Sequence, residues 1–145
     1  MLTPAQVIPF LTHEQSAVRD MAVRYLSGAH DPAPATADDF WRAADALGFD
    51  TYEGREMALS ASDLPQTDYS VDRMLGAIDG ADGNDRGAEL FRLRLLVELR
   101  DLPYEPLARH GERILACRRL TEAARTHLRA RLAPVTDSLD ALWER

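Results

Sequence analysis

Four histidines, one cysteine and a group of arginines are the side chains of this 145-residue sequence that could do chemistry. The histidines are His13, His30, His110 and His127, and none has a second histidine or a cysteine at the short spacing that builds a zinc site. The sequence also lacks a glycine-rich phosphate loop, a Gly-x-Ser-x-Gly turn and a His-Glu-x-x-His run. These patterns predict a chain with no catalytic centre, no metal and no cofactor.

Cys117 has two interpretations. Its neighbours Arg118 and Arg119 could lower the pKa of the thiol and make it reactive. However, Cys117 stands three residues after Ile114 on an apolar stripe, which favours a thiol packed in the interior. A single cysteine excludes an intramolecular disulfide, and residues 1–14 lack the pattern of an export signal. We therefore expect a reducing, cytoplasmic location.

The one binding signal is a basic cluster in the second half of the chain, formed by Arg118, Arg119, Arg125, Arg129 and Arg131. Of these, Arg118, Arg125 and Arg129 could face solvent. Arginine suits the forked recognition of phosphate and carboxylate groups. The net charge is −7 and the isoelectric point is about 5.0, whereas nucleic-acid-binding domains usually lie above ~9. This acidic net charge argues against a nucleic acid as the partner. The alternative is a solvated arginine face that pairs with acidic residues of neighbouring turns, namely Glu98, Glu112 and Glu122.

Charge is distributed unevenly along the sequence. Residues 1–85 contain 5 Arg against 15 Asp and Glu, while residues 86–145 contain 12 Arg against 9 Asp and Glu. Such asymmetry indicates either a contact of the basic half with an acidic partner or two parts of one molecule that attract each other.

The elements that must position these residues are helices. Hydrophobic residues make up 46% and charged residues 28%, which is typical of a globular domain, and no apolar run approaches the ~20 residues that span a bilayer. We expect one domain over residues 1–145, with a sub-boundary near the glycine-rich stretch 79–85. Apolar residues recur every three or four positions, which predicts an all-α fold of about nine helices: Pro4–Thr12 (bent at Pro9), Val18–Leu26, Ala37–Leu47, Glu53–Ala61, Ser70–Ile78, Asp85–Asp101, Glu105–Ala116, Thr121–Leu132 and Val135–Trp143.

Two of these predicted helices have unusual apolar surfaces. In the helix at 85–101, apolar residues nearly encircle the axis, so we expect it at the centre of the packing. The last predicted helix carries Leu139, Leu142 and Trp143, and an apolar helix at the edge of a helical stack needs a partner. This predicts a homodimer or an adjoining domain that packs on residues 120–143.

The stretch from Phe10 to Leu26 resembles a HEAT repeat. The matching residues are Val18-Arg19, Ala22 and Leu26, which follow a short polar turn. The resemblance implies a superhelix of stacked antiparallel helix pairs, in which Arg19 pairs with an acidic residue of the turn, although His13 stands where the family usually has Asp. The second helix of such a pair lines the concave side, so Asp20 and Arg24 become candidate binding residues.

Stacked helix pairs leave an extended face that suits binding better than a reaction. The sequence therefore predicts a non-catalytic module or scaffold that binds another protein. The alternative implied by the resemblance is a DNA-binding or DNA-processing module of the HEAT-like alkylation-repair glycosylase type. No membrane partner is expected.

Overall fold

Every element that the structure describes is a helix. The structure is a computed structural model that describes residues 2–28, 36–62, 64–80 and 85–133. Within these ranges the chain forms one 3-10 helix (Ile8–Thr12) and nine α-helices: α1 (Pro4–Val7), α2 (Ser16–Ser27), α3 (Thr36–Leu47), α4 (Tyr52–Ala61), α5 (Asp68–Gly80), α6 (Arg86–Arg100), α7 (Tyr104–Arg109), α8 (Gly111–Leu115) and α9 (Glu122–Leu132). The all-α prediction is confirmed. The predicted helix Val135–Trp143 lies outside the described residues, and none of the described helices is long and apolar enough to cross a membrane.

The first turns fold as their cap and proline residues predict. The backbone N–H of Thr3 donates to Oε1 of Gln6 over 2.8 Å, and Pro4 is the first residue of α1. Pro9 lies in the following 3-10 helix, which ends at Thr12. Because proline removes an α-helical hydrogen bond, the chain continues in a tighter winding instead of one straight α-helix.

The buried face of α2 is narrower than the sequence predicts. The spacing of Val18, Met21, Ala22, Tyr25 and Leu26 in the sequence predicts one buried stripe. Ala22 and Leu26 are buried, but Met21 is 71% exposed and Tyr25 is 43% exposed, so the prediction is wrong for these two residues. The reason is that α2 packs mainly against α1 and the 3-10 helix, and these short elements cover only part of its surface. The hydroxyl of Tyr25 instead donates to the backbone carbonyl of Leu2.

Helices α3 and α4 form the closest pair of the described chain, and their connection is defined by local chemistry. Gly48 has a φ of +95°, a conformation that glycine adopts without strain, and its N–H donates to the Ala44 carbonyl over 2.9 Å. Thr51 then caps α4, because its Oγ1 accepts the Gly54 N–H at 3.0 Å and donates to the Gly48 carbonyl at 2.7 Å. The chain therefore reverses direction within four residues, 48–51.

The helices pack as neighbours in a regular order. Besides α3 with α4, helix α5 packs against α6, and α7 and α8 pack against α9. Between these groups, α3 contacts the 3-10 helix and α5, α4 contacts α6, and α6 contacts α9. One core cluster results, which includes residues on both sides of the stretch 79–85, such as Ile78 and Phe91.

The core contains aromatic residues from separate helices. Phe40 and Trp41 of α3 are fully buried. The Trp41 ring lies 6.1 Å from that of Phe49, and the Phe49 ring lies 6.2 Å from that of Phe91 on α6. The apolar spacing in the sequence predicts Phe40, Ala43, Ala44 and Leu47 as the buried face of this helix, without Trp41. Helix α3 is covered on two sides, by α4 and α5, so its buried face is wider than one stripe.

Helix α6 is not at the centre of the packing, and that prediction is wrong. Phe91, Leu95 and Leu99 are buried on one side of the helix. On the opposite side Leu90, Leu93 and Val97 are 51%, 50% and 46% exposed. The neighbours of α6 are α4, α5 and α9, and in the described part of the chain they leave this outer side uncovered.

The predicted helix Glu105–Ala116 is two short helices. They meet at His110, whose φ of −112° and ψ of 13° leave the helical region. The next residue is Gly111, and glycine is unfavourable inside a helix. The break brings the backbone of Gly111 against α9, where an added Cβ would lie 3.2 Å from Cδ1 of Leu132.

Candidate functional site

A groove of about 610 Å³ runs between α2 and α4. Asp20 and Arg24, the candidate residues on the second helix of the HEAT-like stretch, both line it. The other lining residues come from the same two helices: Ser16, Arg19 and Val23 of α2, and Tyr52, Glu53, Glu56, Met57 and Ser60 of α4. The structure therefore brings Asp20 and Arg24 together with an acidic and aromatic surface of α4, which the sequence does not predict.

The α2 wall of the groove is held by Arg19. Its guanidinium donates to the backbone carbonyls of His13 and Glu14 over 2.6 and 2.9 Å. The expected partner was an acidic side chain of the turn, but backbone oxygens take that place. His13 contributes its Nδ1, which accepts the Gln15 N–H at 3.0 Å. The imidazole of His13 thus accepts a backbone N–H in the turn that precedes α2.

The α4 wall is anchored to two other parts of the molecule. Nε of Arg55 donates to the Phe49 carbonyl over 2.8 Å, and its guanidinium lies 3.6 Å from the Asp85 carboxylate. Asp85 caps α6 by accepting the Ala88 N–H at 2.6 Å. This backbone hydrogen bond is the main reason that the pKa of Asp85 lies below its usual value, and the charge of Arg55 adds to the effect. Arg55 therefore ties α4 to the α3–α4 turn and to the start of α6.

Four of the five charged side chains that line the groove are unpaired. Within residues 2–28, 36–62, 64–80 and 85–133, the side chains of Asp20, Arg24, Glu53 and Glu56 have no hydrogen-bond or ion-pair partner. Elsewhere α3 and α5 are joined by the ion pair between Arg73 and Asp45, at 2.7 Å. The groove thus presents one free cation and three free anions, counted over the described residues, to whatever enters it. This arrangement can bind a charged chain.

A second cavity of about 250 Å³ continues the surface from α4 to α6. Tyr52 is 72% exposed and lines both cavities. On the α6 side the second cavity is lined by Gly87, Leu90, Phe91 and Arg94. The outer faces of α2, α4 and α6 are therefore continuous at Tyr52.

The basic cluster is only partly a free surface. Arg118 and Arg119 are exposed in the turn after α8, and Arg129 is exposed on α9. Arg125 was also expected to face solvent, and this is wrong: 19% of its side chain is exposed, and its guanidinium donates to the Cys117 carbonyl at 3.1 Å. Its ion pair with Glu122, at 2.9 Å, is the one that the alternative interpretation predicts. Arg125 thus stabilises the turn between α8 and α9.

The two candidate sets lie on different elements. Asp20 and Arg24 are on α2, which packs against α1 and the 3-10 helix, whereas Arg125 and Arg129 are on α9, which packs against α6, α7 and α8. Arg131, the remaining arginine of the basic cluster, has a structural role that the sequence does not predict. Arg131 donates to the carbonyls of Arg100 and Leu102, over 2.7 and 2.6 Å, at the end of α6. These carbonyls are 31 and 29 positions away from Arg131 in the sequence, so the contact has no local sequence signal.

The acidic and basic halves of the chain meet along α5. Asp68 accepts a hydrogen bond from Nε2 of His110 at 3.0 Å and pairs with Arg109, and Asp72 pairs with Arg113. The bond from His110, followed by the one from Arg109, lowers the pKa of Asp68. These contacts agree with the interpretation that the two halves attract each other. Being exposed, each such pair adds little to stability.

Cys117 is a packed thiol. It is 2% exposed, and its Sγ lies 3.3 Å from Oδ1 of Asp79. Burial, more than the neighbouring carboxylate, raises the pKa of the thiol, so the basic neighbours do not activate it. In the part of the chain that the structure describes, no three His, Cys, Asp or Glu side chains cluster so that they could hold a metal ion.

Neither a protein family model, nor a curated protein, nor a solved structure matches this chain with significant similarity. The HEAT resemblance of residues 10–26 accordingly stays a prediction from the sequence.

Proposed function

We propose that this chain is a non-catalytic protein-interaction module that binds a segment of its partner in the groove between α2 and α4. The observation that carries the proposal is the set of unpaired charges on the groove walls, with Arg24 on one side and Glu53 and Glu56 on the other. Unpaired charges beside an exposed tyrosine are typical of a surface that gains its partners on binding. The partner segment would carry lysine or arginine opposite Glu53 and Glu56.

The HEAT-like superhelix is part of the same proposal. The contact of α3 with the 3-10 helix and α5 supports one row of first helices, and the contacts of α4 with α6 and of α6 with α9 support a row of second helices. In such an arrangement the groove would lie between the second helices of the first two pairs. A cytoplasmic location also remains a prediction, based on the single cysteine.

The experiment is a selection of displayed random peptides on the folded chain, followed by fluorescence anisotropy with the enriched peptides. We expect enriched peptides to be basic and their affinity to fall with added salt, because the Coulombic attraction is screened. The double variant Glu53→Arg and Glu56→Arg should weaken binding by about tenfold or more, since like charges then face each other.

Glu112→Arg provides the matched control, because Glu112 is exposed on α8 and undergoes the same charge reversal outside the groove. Its affinity for the selected peptides should stay within about twofold of the unmodified chain. Equal losses in both variants would indicate a nonspecific charge effect, and unchanged binding in the groove variant would refute the groove as the site.

DNA binding is the second candidate function, and the exposure of Arg118, Arg119 and Arg129 favours it. Anisotropy of labelled single- and double-stranded DNA at low salt tests it. Binding that weakens steeply with salt and is lost in Arg118→Glu with Arg119→Glu would support this candidate. Absence of binding at low salt would dismiss it.

A further inference from the structure

The groove between α2 and α4 has carboxylates on both of its walls. Asp20 of α2 lies on one side, and Glu53 and Glu56 of α4 lie on the other. Glu53 is in the first turn of α4, where a carboxylate stabilises the helix through the helix dipole. Glu56 is three residues further along, and its carboxylate has no partner within residues 2–28, 36–62, 64–80 and 85–133. The helix itself therefore gives no reason for a charge at Glu56.

Tyr52 places an aromatic ring beside Glu56. The two residues are four positions apart in α4, so their side chains are neighbours on one face of the helix. Tyr52 is 72% exposed and lines the groove. In the part of the chain that the structure describes, its ring has no stacked aromatic or cationic partner. An open ring next to an unpaired carboxylate is a binding surface for a planar cation.

Elsewhere in the same chain, these two kinds of group already hold an arginine. The guanidinium carbon of Arg42 lies 4.8 Å from the centroid of the Tyr69 ring, and its Nη1 lies 3.3 Å from Oδ1 of Asp39. One guanidinium thus stacks on a tyrosine and pairs with a carboxylate at once, although 59% of the Arg42 side chain is exposed. Tyr52 and Glu56 offer the same two groups, and no arginine among the described residues occupies them.

The groove also has an apolar part. Val23 and Met57 lie on opposite walls, and Met57 is 4% exposed. The methylene stem of a long basic side chain packs along such apolar surface while its charged end stays among polar groups. Arg24 of the α2 wall has no ion-pair partner among the described residues, so it repels a second cation. A cationic ligand is therefore directed to the α4 wall.

Arginine fits these groups better than lysine does. A guanidinium is planar and carries five N–H donors in a fixed fork, so its face can stack on Tyr52 while its edge donates to Glu56. An ammonium group is a more strongly hydrated point charge without a flat face. We propose that the partner segment inserts an arginine, which stacks on Tyr52, pairs with Glu56 and packs its methylenes along Met57. This inference rests on the proposed function, because it names the residue that enters the same groove.

Two fluorescein-labelled peptides of equal charge, one with four Gly-Arg repeats and one with four Gly-Lys repeats, test this selectivity. Fluorescence anisotropy with the full chain at low salt measures both affinities. We expect the arginine peptide to bind about threefold or more tightly than the lysine peptide, the factor that a cation–π contact at an exposed site contributes. Glu56→Gln should weaken both peptides, because each loses an ion pair.

The tyrosine variants separate stacking from simple charge attraction. Tyr52→Leu should weaken the arginine peptide alone, so that the two affinities become equal within about 1.5-fold. Tyr52→Phe should keep the preference, because it keeps the ring. Tyr104→Leu is the matched control, since Tyr104 is also an exposed tyrosine at the first residue of a helix, α7. It should leave both affinities unchanged, and thermal unfolding by circular dichroism verifies that every variant is folded.

Equal affinities of the two peptides for the unmodified chain would overturn the arginine assignment. So would an arginine preference that survives Tyr52→Leu, or a failure of both peptides to bind. The groove itself is judged separately, by the peptide selection and by the double variant Glu53→Arg and Glu56→Arg. If that double variant abolished binding of both peptides while the unmodified chain bound them equally, the groove would remain a site for basic segments without selectivity for arginine. If the double variant bound both peptides as before, the groove and the arginine assignment would both be refuted.

Discussion

Gly54 lies so close to Gly48 that a Cβ on Gly54 would be 1.9 Å from the Gly48 carbonyl oxygen. The same atom would also lie 3.1 Å from the Ala44 carbonyl oxygen. The first turn of α4 therefore packs directly against the last turn of α3, backbone to backbone. The α4 wall of the groove owes its position to this contact.

Gly54→Ala should destabilise the fold by about 3 kcal/mol, because backbone atoms cannot move aside as a flexible side chain does. Urea unfolding followed by circular dichroism measures the change. Gly76→Ala is the control: Gly76 is inside α5 and an added Cβ there meets no atom within 4 Å. It should raise stability by about 0.5–1 kcal/mol through higher helix propensity. Similar effects of the two variants would contradict the close approach.

Arg131→Met should cost about 1–3 kcal/mol, because two carbonyls at the end of α6 lose a charged donor while the aliphatic part of the side chain is kept. Arg129→Met removes the same charge two residues earlier, at an exposed position, and should change stability by less than about 0.5 kcal/mol. Thermal unfolding of the two variants side by side provides the comparison. If Arg129→Met proved the more damaging, the packing of α9 on α6 would be misassigned.

Acid should weaken the fold through Asp68 and Asp85. Their pKa values are lowered in the folded chain, so each carboxylate stabilises the fold above the unfolded value of about 3.9, and the contribution is lost as the pH falls through the folded pKa. Asp39 acts in the opposite sense, because burial raises its pKa. Urea midpoints from neutral pH to pH 3 should fall less steeply in Asp85→Asn, which keeps a capping oxygen but no titrating group. Parallel curves for the two chains would contradict this assignment.

Cys117 should react slowly with a thiol reagent while the chain is folded. The thiol is buried and its pKa is raised, so both access and the thiolate fraction are low. Labelling with 5,5′-dithiobis(2-nitrobenzoate) at pH 8 should accelerate on unfolding in urea by about a hundredfold or more. Rapid labelling in the absence of urea would show that the thiol is accessible.

Local patterns in the sequence predicted the helices well. Thr3 and Pro4 mark the start of α1, and Val71, Met74, Leu75 and Ile78 of α5 are all buried as their spacing indicates. Helix caps and apolar stripes depend on residues three or four positions apart, so they can be recognised in the sequence itself. The exception at Met21 shows the limit, because burial also needs a partner helix on that side.

Of the groove between α2 and α4, the sequence predicted binding residues on the α2 wall only. The resemblance pointed to Asp20 and Arg24, but Glu53, Glu56 and Tyr52 join them through the packing of separate helices. Arg125 and Arg129, spaced by four residues, looked equivalent in the sequence, yet the carbonyl of Cys117 engages Arg125 and leaves Arg129 exposed. Contacts of this kind depend on long-range packing, which spacing alone does not encode.

The two walls of the groove differ in how firmly they are fixed. Helix α4 is fastened by the backbone contact with α3 and by Arg55, whereas α2 is attached through α1 and a 3-10 helix that contains Pro9. Short helices with few neighbours open more easily than long packed ones. Under the proposed function, the α2 wall would therefore move more readily than the α4 wall when a partner segment enters the groove.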